Sequence, residues 1–306
     1  MLRITAILIT AYNRANYLED LLDSLHKENF RNIHISVDCN ENGEINSEIL
    51  ALASAKFSKL HWIFRKNSLG PSGNLPTSLN ELFESYDNCV VLEDDIQICP
   101  NSLRSLIDMI AEPLPANCFS VGLFGALPYN WFTKKLFGTN RWRETSSFSG
   151  WGWATQRESW KEYEWDISAY KVEEALLTSK LWTQLPPHVQ KFWLGKFKKV
   201  AENPEVAWDY QMQFKTYLRG ASHLLPTFRS IDNIGFNDVR SSNTTAMRPR
   251  WYLGKTCQLE VQKQTLRPVL RSRILGFVDR LTWIGGSRLR LIIERVKKLY
   301  IVLKKP

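Results

Sequence analysis

Along the first 125 residues the chain switches repeatedly between apolar runs and helical periodicity. Residues 4–10 form an apolar run that ends at a polar Tyr-Asn-Arg and reads as a first strand. Asn16 then opens Asn-Tyr-Leu-Glu, a capping-box-like start with Glu19 at the third helical position. Leu18, Leu21, Leu22 and Leu25 give that helix one apolar face. Residues 32–37 alternate as a second strand, a helix follows over about 45–55, and residues 60–64 form a third strand. Asn67-Ser68-Leu69-Gly70-Pro71 reads as a loop and residues 75–86 as a helix. Cys89-Val90-Val91-Leu92 shows no alternation, which suits a parallel strand covered on both faces. A helix over 103–110 and a strand over 119–124 complete the series. Strands alternating with helices predict an α/β domain, its sheet mostly parallel with right-handed crossovers.

After residue 124 the pattern loosens. Residues 126–165 read as loop-rich and aromatic; Trp142, Trp151, Trp153, Trp160 and Trp165 fall within 24 residues of one another. A polar helical region runs through 170–200, a helix through 208–218, and a polar loop through 231–245. No internal repeat or low-complexity tract appears.

Charge divides the chain in two. Twelve Lys and Arg from Lys263 onward stand against Asp279 and Glu294, a net of +10 that leaves −1 for the other 262 residues of a chain whose total is +9. A near-neutral body disfavours a nucleic-acid partner, because the basicity is local. The predicted organisation is a catalytic domain over 1–262 and a basic tail over 263–306. The five cysteines are scattered and form no CxxC pair, which argues against a disulfide framework or a zinc site and suits a reducing compartment. With no signal peptide evident, the expected location is cytoplasmic, or peripheral at the inner face of the plasma membrane.

The candidate chemistry collects at strand ends, where open α/β sheets bind ligands. The first strand ends in Tyr12-Asn13-Arg14, the second in Asp38, the third in Arg65-Lys66 and the fourth in Glu93-Asp94-Asp95. Adjacent carboxylates repel by about 4 kcal/mol per pair at an effective dielectric near 20, so the triplet calls for an offsetting cation. The plainer reading is an acidic turn capping a helix. A ring, an amide, a guanidinium and a carboxylate at one edge suit a nucleoside diphosphate. GxGxxG and GxxxxGK[ST] are absent, which argues against a dinucleotide-binding dehydrogenase and a phosphate-loop NTPase. GxSxG and paired-histidine motifs are absent as well. Further on, Trp151-Gly152-Trp153 offers flat rings and close backbone approach to a sugar, or core packing for at least one indole. Asp209, at the start of a predicted helix, is either an N-cap or a general base.

Together these segments resemble nucleotide-sugar glycosyltransferases of the GT-A fold, in particular bacterial family 2-like transferases and N-acetylglucosaminyltransferase I. Residues 10–14, 92–96, 148–153, 208–211 and 233–236 carry the likeness, which spans roughly residues 3–246. The resemblance implies a Rossmann-like sheet, a UDP-sugar donor, a glycan or lipid-linked acceptor, and Mn2+ or Mg2+ as cofactor. It implies that Arg14 and Asp38, with Tyr12 and Asn13, contact the uracil end, that Asp94 binds the ribose, and that Asp95 coordinates the cation. Glu93 would face the transferred sugar or a metal-bound water, Trp151, Gly152 and Trp153 would line the sugar site, and Asp209 would deprotonate the acceptor in an inverting reaction. The 231–246 loop, with Arg240 inside it, would close over the nucleotide. Cell-surface polysaccharide or lipopolysaccharide synthesis is the implied setting.

The tail carries two apolar stripes at helical spacing, from Leu270 to Leu281 and from Leu289 to Leu303, separated by Gly285-Gly286 and flanked by basic residues. Basic amphipathic helices of this kind bind anionic membrane surfaces; equally, the stripes can pack on the body. Two other functions fit the same residues. A sugar-phosphate nucleotidyltransferase uses a related sheet, although its glycine-rich first loop is missing here. A non-enzymatic, membrane-peripheral binding protein would use the tail alone.

Overall fold

The computed structural model describes residues 4–125, 127, 133–135, 140–236, 238–240 and 262–266. The first half runs β1 (Thr5–Ala11), α1 (Ala15–Lys27), β2 (Ile33–Val37), α2 (Ser47–Ser54), β3 (His61–Phe64), α3 (Gly70–Leu82), β4 (Asn88–Glu93), β5 (Ile96–Ile98), α4 (Pro100–Ala111) and β6 (Cys118–Gly122). There follow β7 (Arg141–Thr145), β8 (Trp153–Gln156), α5 (Arg157–Trp160), α6 (Val172–Leu177), α7 (Lys180–Thr183), α8 (Pro187–Glu202), α9 (Trp208–Arg219), β9 (Ser222–Pro226), β10 (Ile231–Asn233) and β11 (Gln262–Leu266).

Nine strands form one sheet in the order β11-β7-β9-β6-β8-β4-β1-β2-β3. Five pairings are parallel and three, those of β8 with β4 and β6 and of β7 with β9, are antiparallel. The expected mostly parallel α/β sheet is therefore present. Its central strands are buried on both faces for the reason their composition suggests. Ile7, Ile9, Val90 and Leu92 pack with the α1 leucines and α4 on one face. Ala6, Leu8, Cys89 and Val91 pack with Leu75 and Leu79 of α3 on the other. β5 lies outside this sheet and pairs with β10, with Asn233 opposite Ile96.

Several boundaries differ from the sequence reading. Arg14, and not Asn16, is the N-cap of α1, and its side chain makes no capping bond. α3 begins at Gly70 instead of residue 75 and contains Pro76. Proline there removes the N–H that would reach the Ser72 carbonyl, and the Trp165 indole donates to that carbonyl instead at 3.0 Å. The aromatic stretch 126–165 is less irregular than its composition suggests, since it supplies β7, β8 and α5. Residues 167–218 form a helical unit with its own core of Trp182, Trp193, Phe197, Phe214 and Tyr217. The first three residues of the expected 231–245 loop are β10.

β11 runs across the expected boundary at 262/263, and both tail stripes lie outside the described residues. Among the described residues no helix is long and apolar enough to cross a membrane.

Candidate active site

Parallel register brings four strand ends level. Thr10 lies opposite Glu93, Ala11 opposite Val37, and Val37 opposite Phe64. The residues that follow each strand therefore share one edge, as the sequence predicts. What each side chain does there is decided by its neighbours.

Arg14 leaves the start of α1 and turns onto the acidic triplet. Its guanidinium bonds both oxygens of Asp94, Nε–H donating at 3.3 Å and Nη2–H making the shorter contact, and Nη1–H donates to Asp95 at 2.7 Å. The two aspartates are only 2% and 3% exposed. Burial lowers the affinity of Arg14 for its proton, but the charges of Asp94 and Asp95 outweigh it and raise the group overall. Burial also pushes Asp94 up to about 7 against the pull of Arg14. Asp95 is raised by burial despite the same guanidinium. Glu93 is held well above the carboxylate range by burial first, then by Asp95 and Asp94, with Asp209 adding to the effect.

Asp209 thus belongs to the same field, although it arrives from α9, more than a hundred residues later. It sits in the first turn of α9, whose N-cap is Ala207, so the N-cap alternative does not hold. Burial pushes it up to about 6, opposed by the backbone N–H groups of Asp209 and Tyr210 and by the charge of Lys196. Tyr163 stands close enough for the Asp209 charge to raise its hydroxyl further above an already burial-raised value.

The β10 segment closes over the acids. Asn233 Nδ2–H donates to Asp95 Oδ1 at 3.4 Å and the Ile234 N–H to the Asp95 carbonyl at 2.9 Å. Gly235 fits only because it lacks a side chain: a Cβ would stand 2.0 Å from Asp95 Oδ2 and 3.0 Å from Arg14 Nη1. Beyond it, Asp238 accepts from Arg240 at 2.7 and 3.0 Å, and Arg240 reaches Asn16 Oδ1 at 3.2 Å. Tyr17, one turn along α1 from Arg14, lies under both guanidinium groups at 5.9 and 5.5 Å. Burial and a hydrogen bond to Asp238 raise the Tyr17 hydroxyl. The sequence reading missed Tyr17, although its spacing from Arg14 places the two on one helix face.

Asp38 keeps its place at the end of β2, but its carboxylate also organises the fold. It accepts from the Leu69 N–H at 3.1 and 3.2 Å and from the Cys39 N–H at 3.0 Å. Tyr12 is 45% exposed at the rim and Asn13 is half-buried beside it.

Two expectations need correction. Trp153 cannot stack on a sugar: it is wholly buried in β8, stacked on Trp208 at 5.5 Å and edge-on to Phe148 at 5.0 Å. Trp151 is the half-buried member, edge-on to Phe124 and to Phe236 of the closing segment. Gly152 is needed for its backbone, at φ +60° against Ile231, so its freedom serves the turn into β8. Arg65, one of the strand-end residues grouped at this edge by the sequence, is committed instead to Ser36, Asn74, Ser78 and Glu81, which ties β2 and β3 to α3.

A divalent cation is compatible with this donor set. Asp94 and Asp95 are hard oxygen ligands brought together on one guanidinium, and burial makes their negative charge costly unless a cation offsets it. Among the described residues no three His, Cys, Asp or Glu are arranged as a complete metal cage. Mg2+-type sites are commonly completed by substrate phosphates and water around one or two carboxylates.

A family model described as "Glycosyl transferase family 2" matches residues 6–199. The match is to the family as a whole and does not extend to the narrower likeness to N-acetylglucosaminyltransferase I. Among solved structures, the chain is similar to a mannosyltransferase of Pyrobaculum calidifontis in complex with GDP-Man and Mn2+, at 14% identity and a TM-score of 0.42 over 71% of this chain and 70% of that one. It is also similar to glucosyl-3-phosphoglycerate synthase of Mycobacterium tuberculosis in complex with Mn2+, UDP and glucosyl-3-phosphoglycerate, at 17% identity and 0.35 over 51% and 57%. No curated protein matches.

Proposed function

The chain belongs to glycosyl transferase family 2, and on that premise we propose that it moves a sugar from a UDP-sugar to a hydroxyl of a glycan or lipid-linked acceptor, with inversion and with Mn2+ or Mg2+ as cofactor. Membership sets aside the nucleotidyltransferase and the non-enzymatic readings. The observation that carries the proposal is the Arg14–Asp94–Asp95 cluster at the end of β4, within the field of Glu93 and Asp209.

Asp95, with Asp94 beside it, would hold the cation, which supplies positive charge to the leaving diphosphate. Arg14 neutralises the two aspartates when no other cation does, and it is placed at a helix N-terminus that favours anions. Tyr12, Asn13 and Asp38 would contact the base, and Asp94 the ribose. Glu93, its carboxyl held well above the usual range by burial and by Asp95 and Asp94, would face the transferred sugar or a bound water. Trp151 would border the sugar. Asp209, ionised above about pH 6, would accept the proton of the attacking hydroxyl. The segment running from Gly235 to Arg240, latched on Tyr17, would exclude water that could hydrolyse the donor. The basic tail would hold the enzyme at an anionic membrane surface on the cytoplasmic side, in surface polysaccharide or lipopolysaccharide assembly.

Calorimetric titration of UDP with and without Mn2+ tests this. Metal-dependent binding that vanishes in Asp95→Ala supports the site. Binding indifferent to both the metal and the substitution refutes it.

A further inference from the structure

Lys196 is half-buried, whereas Lys180, Lys191 and Lys199, the other lysines of the helical unit with no ion pair among the described residues, are exposed. Lys198 pairs with Glu173 at 3.2 Å and Lys215 with Glu164 at 2.7 Å. Lys196 makes no hydrogen bond or ion pair among the described residues, although it is half-buried. Its ammonium lies 5.1 Å from the centre of the Tyr210 ring and 5.6 Å from that of Phe192. Phe192 and Lys196 are four residues apart on α8 and so share a face. Tyr210 follows Asp209 on α9, and the charge of Lys196 acts on that carboxylate without an ion pair being formed.

The result is a cation with three uncommitted donors, set between two half-buried rings beside the proposed base. The two rings hold the ammonium in place by their faces without an acceptor for its N–H groups. Asp209, ionised when it acts as the base, sets a negative charge here, so an acceptor bearing its own negative charge would be repelled unless a cation received it. Lys196 is placed to be that cation.

From this arrangement we infer that Lys196, with Tyr210 and Phe192, forms an anion-binding subsite for the acceptor, selecting a saccharide that carries a carboxylate or a phosphate near the attacking hydroxyl. The inference rests on the glycosyltransferase reading of the same site and narrows its acceptor class. A lysine that merely adjusted Asp209 would affect charged and neutral acceptors alike. A subsite affects only the charged ones.

The test uses the full chain saturated with UDP and Mn2+, after UDP affinity has been measured for each variant. Calorimetric titrations compare methyl hexosides with the matching methyl uronates and with the matching 6-phosphates, in wild type, Lys196→Gln and Lys196→Arg. In at least one set, wild type should bind a charged member about tenfold or more tightly than its neutral counterpart, the factor a charge-assisted hydrogen bond supplies. Lys196→Gln should bring that preference to within about twofold without changing UDP affinity, and Lys196→Arg should restore it. The uronate and 6-phosphate arms identify which anion is read. A protein that binds UDP with Mn2+ but prefers no charged acceptor, or keeps its preference in Lys196→Gln, overturns the subsite alone. A protein that binds no UDP overturns the donor reading and the subsite with it.

Discussion

Replacing Asp209 by Asn sets a gain in stability against a loss of chemistry, and both follow from one half-buried carboxylate. In the folded chain Asp209 is pushed up to about 6, against 3.8 for the ordinary side chain. The folded state therefore holds this proton more tightly than the unfolded state does. Its contribution is favourable below about pH 4, fades as pH rises through 4 to 6, and is fully lost above that range. A gap of about two pH units corresponds to roughly 3 kcal/mol of cost at pH 8. The favourable backbone N–H groups of the α9 N-terminus are already within that net shift, so about 3 kcal/mol is the expected gain for Asn. For a chain of this size that raises the melting temperature by about 4–6 °C at pH 8. At pH 5 about half the gain should remain, and at pH 4 about a fifth. Thermal melts of both proteins across pH 4–8 check the stability arm. Single-turnover transfer should fall by about 10²–10⁴ while UDP affinity stays within twofold. The acid limb of wild-type kcat/KM should lie near pH 6, with activity lost below it, because the base works only when ionised. An Asn variant that melts no higher than wild type at pH 8 would show that the carboxylate is not held at a cost. Parallel loss of transfer and UDP affinity would make the residue structural.

Gly235→Ala forces a methyl group to within 2.0 Å of Asp95 Oδ2; UDP affinity with Mn2+ should drop at least about tenfold while the melt changes little, and an affinity within twofold of wild type contradicts the close approach. Trp153→Ala removes a wholly buried indole and should cost about 3–5 kcal/mol in urea unfolding; normal stability with lost donor binding would return Trp153 to the sugar site. A chain ending after Arg267 keeps β11 and should no longer sediment with anionic phosphatidylserine vesicles; undiminished sedimentation rules the tail out as the anchor.

The sequence by itself determined the local elements and the chemistry held within short segments. Period and apolar content placed the first four strands and α1, because a strand covered on both faces leaves an unbroken apolar run such as Cys89 to Leu92. The strand-end rule then put Arg14, Asp38 and the acidic triplet on one edge without any structure. Capping and proline signals were less informative: Asn16 and Pro76 carry the residue types of a start and a break, yet neither ends up in that role. The Trp165 indole that compensates Pro76 comes from 89 residues away, beyond any local window. Tertiary structure alone decided which of two neighbouring indoles is core, since Trp151 and Trp153 differ only in the strand pairing that turns one of them inward. It also turned Arg65 away from the rim onto Glu81 and brought the Asp209 charge to bear on Glu93, and the Lys196 charge on Asp209, from helices packed on a separate aromatic core. Each of these outcomes depends on contacts between residues far apart in the chain, and periodicity records only which face a residue presents, not what meets it there.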